Sequence, residues 1–338
     1  MAWVMPAETS PHERIWMAFP PAGAAGPTTS SVHDARIAWA AVAHAVAGFE
    51  PVTMVVDPAD RTVARRYLSA GIDIVEAQLN DAWMRDIGPT FVFDANNRLG
   101  AVDWVFNGWG AQEWARWDHD QLIGARVARL AGAEIVSARI VNEGGGIQVD
   151  GKGTVLVTET VQLDPGRNPG LGKTAIEAEL ARTIGAEHVV WLPQGLTRDS
   201  GRFGTRGHVD NVVAIPMPGV LLVHSQHDSA HPDHPVTREI IATLRDTHDV
   251  NGNSWEIVEM PAPQVLRDNE SWVDYNYINH LVVNDGVIAC GFDDPGDKPA
   301  RGILADMYPG RDIVTVDARE IYARGGGIHC ITQQQPRR

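Results

Sequence analysis

Residues 211–260, NVVAIPMPGVLLVHSQHDSAHPDHPVTREIIATLRDTHDVNGNSWEIVEM, hold one complete structural unit. Two apolar runs flank the turn Met217-Pro218-Gly219, whose residues tolerate tight or left-handed backbone, so the segment 211–225 reads as a hairpin. TREIIATLRD (237–246) then spaces its apolar residues at i, i+3 and i+4, as a helix lying one-sided on a sheet does. SWEIVEM (254–260) closes the unit with a third strand.

The same order recurs along the chain. Hairpins are expected at 90–105, 147–159 and 277–292, turning at Asn96-Asn97, Gly151-Lys152-Gly153 and Asn284-Asp285-Gly286. Successive turns fall roughly 55–70 residues apart, a period that signals internal repetition. Helix-then-strand pairs follow at 120–133 with 134–141, 174–186 with 188–193, and 300–308 with 312–317. Two more open the chain, 34–49 with 52–56 and 62–71 with 72–77. A shorter echo sets GGGIQ (144–148) against GGGIH (325–329). About five strand–strand–helix–strand (ββαβ) units predict a quasi-symmetric α/β body whose site lies where the units converge.

The 338 residues, 44% hydrophobic and 21% charged, suit a globular chain with a large core, read as one domain, 1–338. The stretch richest in Pro and Gly, 20–31, lies too close to the N-terminus to separate two folded bodies. Only Cys290 and Cys330 are present, too few for a disulfide framework, and the first residues lack a basic and then apolar leader; both fit a cytoplasmic protein. No apolar run reaches the roughly 20 residues of a membrane helix. A formal charge of −15 disfavours nucleic acid and anionic lipid; it either draws in small cations or simply maintains solubility. Homo-oligomerisation is left open.

The chemistry-bearing residues cluster in glycine-flanked segments. Cys330, in GGGIHC, is read alone as a small buried hydrophobe, since a free thiol (pKa about 8.5) is only a few per cent thiolate at neutral pH. Its companions change that reading. His208 and Asp210 of GHVD, at the start of an apolar strand, would share one face about 7 Å apart and could hold a flat substrate between them. Asp86 in WMRDIGP is a carboxylate candidate or half of a salt bridge with Arg85. Trp83 is a candidate wall for a cation or a core side chain, and Glu143, before three glycines, a site acid or a turn residue. Adjacent strand residues face opposite ways, so His208 is expected to partner Cys330 and His329 to be structural. The glycine runs match neither dinucleotide nor P-loop patterns; at GLGKT (170–174) the first P-loop glycine is replaced by Arg167. A metal site on His208, Asp210, Glu143 and Cys330 lacks HExxH or paired-Cys spacing, so no metal is expected.

NDAWMRDIGPTFV (80–92), NEGGGIQVDGKGTVLVTE (142–159), RNPGLGK (167–173), GTRGHVDN (204–211) and GGGIHCITQQQP (325–336), together with MPAETSPHERIWMAFP (5–20), resemble the agmatine deiminases of the bacterial peptidyl-arginine-deiminase family. The resemblance spans nearly the whole chain. It implies the pentein fold, a five-bladed α/β propeller, and a hydrolase that forms a covalent thiouronium on cysteine without cofactor. Family roles would fall on Cys330 as nucleophile, His208 as acid/base, Asp86 and Asp210 as guanidinium ligands, Glu143 as a further acid and Trp83 as a pocket wall. The family default is agmatine, giving N-carbamoylputrescine.

Some residues depart from that family. An acid usually stands where this chain has Gly204, an Asn where it has Gly327, and the segment Ser-Tyr-x-Asn reads Ser271-Trp272-Val273-Asp274. With Arg202 and Arg206 near the rim, and Arg206 a candidate substrate contact, a neutral or carboxylated tail is expected to suit the site better than an ammonium. A cysteine amidinotransferase or a non-catalytic protein of this fold are the alternatives. Cys330→Ala is expected to abolish turnover and Cys290→Ala, in an apolar strand, to cost mainly packing; mapping which cysteine an inactivating thiol reagent labels checks the assignment.

Overall fold

The computed structural model of the protein describes residues 3–23, 32–269 and 271–338. The unit read at 211–260 is present as expected: Val213–Met217 pairs antiparallel with Val220–Ser225, helix Asp233–Arg245 crosses over, and Glu256–Pro261 returns parallel to Val220–Ser225. Pro235 falls in the helix's first turn, where a missing N–H costs nothing. Ile240, Ile241 and Leu244 turn inward onto the sheet, and burial of each such side chain contributes about 1.5–3 kcal/mol.

Three further blades repeat the order. Thr90–Asp94, Leu99–Val105, helix Ile123–Leu130 and Glu134–Val141 form one, to whose edge Trp3–Val4 is added. Gln148–Val149, Thr154–Thr158, helix Lys173–Ile184 and His188–Leu192 form the next, the helix ending on Gly185 in the left-handed conformation. Leu281–Val283, Gly286–Gly291, helix Asp297–Met307 and Asp312–Asp317 form another.

The remaining blade has no local hairpin. Its antiparallel partner comes from the other end of the chain: Thr332–Pro336 pairs with His12–Ala18, which continues through helix Val32–Ala47 to the parallel strands Val52–Val56 and Asp73–Glu76. The two chain ends thus share one sheet and close the five-bladed α/β propeller. Periodicity did not indicate the closing strand, because TQQQP is polar yet fully buried. Trp16 Nε1 donates to Gln335 Oε1 at 2.9 Å and Gln334 Nε2 donates to Glu8 Oε1 at 3.3 Å, while Gln333 Oε1 and Gln334 Oε1 have no partner among the described residues.

Several expectations need correction. The helix expected at 62–71 is a single turn, Arg61–Ala64. His208 and Asp210 do not stand on a strand: the backbone makes a 3-10 turn, Val209–Asn211, before the strand begins at Val213. Residues 328–330 are likewise a turn, and the strand begins at Thr332. Most of the Pro/Gly-rich stretch 20–31 lies outside the described residues. No helix among the described residues is long and apolar enough to cross a membrane.

Gln335→Ala would orphan the buried Trp16 N–H and is expected to lower stability by about 1–3 kcal/mol, measured by urea denaturation.

Candidate active site

Each blade's first strand is preceded by a tight polar turn, and these turns meet. Met84–Ile87 carries Asp86, Gly144–Gly146 follows Glu143, Val209–Asn211 follows His208 and contains Asp210, and the turn at 328–330 carries Cys330. The fifth blade contributes Asn276 and Asn279, which the sequence reading did not single out. Asn279 Oδ1 lies 3.4 Å from Cys330 Sγ, and its Nδ2 donates to the Asp210 carbonyl.

The cluster is dense and buried. A Cβ on Gly145 would stand 2.5 Å from His208 Nδ1 and 2.9 Å from Asp210 Oδ2, so only glycine lets the backbone approach this closely. In return Gly145 N–H donates to Asp86 Oδ1 at 3.2 Å, while Trp109 Nε1 donates to Asp86 Oδ2 at 2.8 Å. His208 lies between two acids: its Nε2 is 3.2 Å from Glu143 Oε2 and its Nδ1 3.8 Å from Asp86 Oδ1. Asp199 anchors the approach, accepting from Thr205 N, Thr205 Oγ1 and His208 N. Cys330 Sγ lies 3.6 Å from Asp210 Oδ2, the oxygen also held at 2.8 Å by His329 Nδ1. Asp210 Oδ1 and His208 Nδ1 have no hydrogen-bond partner among the described residues.

Charges set the protonation states. Burial opposes a charged His208, but Asp86, Glu143 and Asp210 outweigh it and raise the imidazole to about 9. Burial also raises Asp86, to about 6; His208 opposes that rise, and Glu143 and Asp210 add to it. Glu143 is desolvated as well, yet Arg167 Nε contacts both its oxygens at 3.0 Å and, with His208, holds it below its ordinary range. Burial and the nearby Asp210 and Asp86 push the Cys330 thiol well above its usual value. Arg167 is the residue that stands where a P-loop would have glycine; its position in RNPGLGK was visible and its partner was not.

A cavity reaches this cluster, lined by Asp81, Trp83, Asp86, Trp109, Trp114, Phe203, Thr205, Arg324, Gly325 and Cys330. His208, Asp210 and Glu143 lie behind that wall, fully buried. Arg206 does not line the cavity: left-handed backbone at Arg206 and Gly207 (φ 78° and 101°) places Thr205 on its wall instead. The arginine that does is Arg324. Asp81, also unanticipated, has its carboxyl raised to about 7 by burial, against the pull of the Ala82 N–H, Trp83 and Arg324. Gly204 is wedged against the Asp199 backbone carbonyl and its own carbonyl accepts from Gln112 Nε2, so this loop has no room for a side chain there. Among the described residues no group of three or more His, Cys, Asp or Glu is arranged to hold a metal ion.

A five-bladed ring that brings a thiol, an imidazolium and carboxylates to its centre is a pentein with the equipment of a cysteine hydrolase. The sequence profile of the Porphyromonas-type peptidyl-arginine deiminases matches residues 4–336, and the chain belongs to that family. It is therefore an enzyme of the deiminase class, a hydrolase of C–N bonds in linear amidines. It is 54% identical to a Streptomyces coelicolor protein named "Putative agmatine deiminase", over the whole of both chains. It is 37% identical to the agmatine deiminase of Pseudomonas putida, covering 98% of this chain and 95% of that one. The solved agmatine deiminase of Enterococcus faecalis superimposes with a TM-score of 0.94 at 31% identity, covering 99% and 96% of the two chains.

The resting charges fix a pH profile. Below about pH 6 Asp86 is expected to gain a proton and lose its hold on a cation; above about pH 9 His208 loses the proton it can donate. A bell-shaped kcat/KM profile with limbs near those values is expected, and Asp86→Asn should remove the acid limb along with most of the activity.

Proposed function

We propose that this chain is a hydrolytic deiminase of a small guanidino compound, with agmatine, the substrate in its relatives' names, converted to N-carbamoylputrescine and ammonia. The observation that carries the reading is the Cys330 thiol, 3.6 Å from Asp210 and on the cavity wall with Asp86. A guanidinium is planar, cationic and rich in donors. Asp86 and the unpartnered Asp210 Oδ1 would accept its N–H groups and hold its carbon beside the sulfur.

The mechanism follows from the resting charges. Burial, with the two carboxylates that face it, favours the protonated thiol in the free enzyme. A bound guanidinium neutralises those carboxylates and favours the thiolate, the S–H proton leaving to solvent. Sulfur attacks the guanidinium carbon, and the resulting tetrahedral adduct receives a proton from His208 on the leaving nitrogen. Ammonia departs, breaking the C–N bond and leaving an S-alkylthiouronium. His208, now neutral, removes a proton from water, which adds to the same carbon; the C–S bond breaks as the new hydroxyl gives its proton to sulfur, releasing the ureido product and restoring the thiol. Glu143, fixed by Arg167, orients His208 and stabilises its charged form. This chemistry requires no metal or organic cofactor.

The tail would lie among Trp83, Trp114 and Phe203, with Asp81 available to an ammonium. Arg324 on the same wall favours a second reading, in which the tail carries a carboxylate. We read the chain as one catalytic domain, and its two unpaired, buried cysteines suit a reducing cytoplasm. Ammonia release from agmatine, arginine and 4-guanidinobutyrate decides between the tails. Agmatine is expected to give the highest kcat/KM; a higher value for either carboxylated guanidine would assign the tail to Arg324. Ammonia release that depended on an added amine acceptor would instead indicate amidine transfer.

A further inference from the structure

Behind Asp210 runs a chain of buried and partly buried groups that the mechanism above does not use. His329 Nδ1 is 2.8 Å from Asp210 Oδ2, and His329 Nε2 is 2.8 Å from Glu8 Oε1. Glu8 comes from the opposite end of the sequence and is held there by Gln334 Nε2 at 3.3 Å and Arg85 Nη1 at 3.4 Å. Arg85 also donates through Nε to the His329 carbonyl and through its backbone N–H to the Cys330 carbonyl. His329 is 2% exposed and does not line the cavity, so it does not meet substrate. Asp210 Oδ2 is the one oxygen that both His329 and the Cys330 thiol contact.

We propose that His329, held by Glu8, is a positioning residue: it locks the Asp210 carboxylate with one oxygen toward the thiol and the other toward the substrate, and keeps a compensating positive charge behind the nucleophile. A bare Asp210 could rotate, and its full negative charge would hold the thiol proton more tightly. A cationic imidazole on Oδ2, the oxygen that also meets the thiol, prevents both.

The groups facing His329 support a charged state. Burial and Arg85 oppose its proton, but Glu8 and the bonds to Asp210 and Glu8 outweigh them, so its affinity for the proton is raised. Burial alone would raise Glu8, yet the charges of His329 and Arg85 and the bonds from His329 and Gln334 hold its carboxyl well below the ordinary range. His280, the other imidazole nearby, is pushed down to about 4 by burial, partly offset by its contact with the Tyr277 carbonyl, and is neutral. Glu8⁻, His329⁺ and Asp210⁻ thus form an alternating row. This also changes the reading of His329 from the sequence, where strand alternation separated it from Cys330; in the observed turn the two side chains share an acceptor.

The test titrates the nucleophile without substrate, so it stands apart from the choice of guanidine. The pH dependence of Cys330 alkylation by iodoacetamide, with the adduct located by peptide mapping, is measured in the full chain and in His329→Asn and Glu8→Gln. Asn can still donate to Asp210 but carries no charge. The His329→Asn thiol is expected to titrate about one unit higher, with kcat reduced about tenfold and KM within threefold of wild type. In Glu8→Gln, His329 should release its proton before His208 does, so kcat should fall about one pH unit below the alkaline limb that His208 sets in the full chain. If neither the alkylation profile of His329→Asn nor the kcat profile of Glu8→Gln moves, His329 is only a structural bridge to the N-terminal segment. Should His329→Asn not fold, the Glu8→Gln profile decides alone, since Glu8 lies at the edge of the row.

Discussion

Three carboxylates and an imidazole are buried together at the centre of the ring, and the surrounding structure depends on compensating that charge. An uncompensated buried ion costs several kcal/mol, so each acid needs a cation or a proton. Glu143 has Arg167 at 3.0 Å and Asp210 has His329 at 2.8 Å. Among the described residues Asp86 has His208 as its cation, 3.8 Å away, and burial, with Glu143 and Asp210 nearby, raises its carboxyl to about 6. It is also the acid that faces the cavity. The incompletely compensated acid thus stands on the wall of the cavity.

The ring geometry makes such crowding possible. Because a polar turn precedes the first strand of every blade, five segments distant in sequence point their side chains at one place. Glycine at 145 lets the backbone reach His208 and Asp210, and its N–H donates to Asp86. Closure of the first blade by Thr332–Pro336 then fixes Cys330, two residues earlier, against Asp210 and Asn279. Placement of the Cys330 thiol and ring closure are therefore one structural event.

The loop 199–207 shows how a departure from a family pattern can be compensated locally. Gly204 packs on the Asp199 backbone, and Asp199 in turn holds Thr205 and His208. The missing acid at 204 is thus accompanied by a tightly tied loop, while charge at the cavity mouth comes from Asp81 and Arg324 on other segments. Arginines adjacent to the motif in sequence are poor guides to the pocket, because two left-handed residues in succession redirect the chain.

Periodicity alone determined the repeat: apolar alternation around Gly and Asn turns, followed by one-sided helices, requires ββαβ units, since each pattern can bury its apolar face in only one way. Residue type and glycine context marked Cys330, His208, Asp210, Asp86, Glu143 and Trp83, and the structure gathers all six at the ring centre or on the cavity wall. Tertiary structure decided what has no local signature. The polar strand 332–336 is a strand only because His12–Ala18 offers it hydrogen bonds. Arg167, His329 and Glu8 acquire their roles from partners 24 to 321 residues away. A turn in place of the expected strand brought His329 and Cys330 onto one carboxylate. Local pattern reports which face a side chain presents to its own element; the charge it compensates depends on which distant segment is packed beside it.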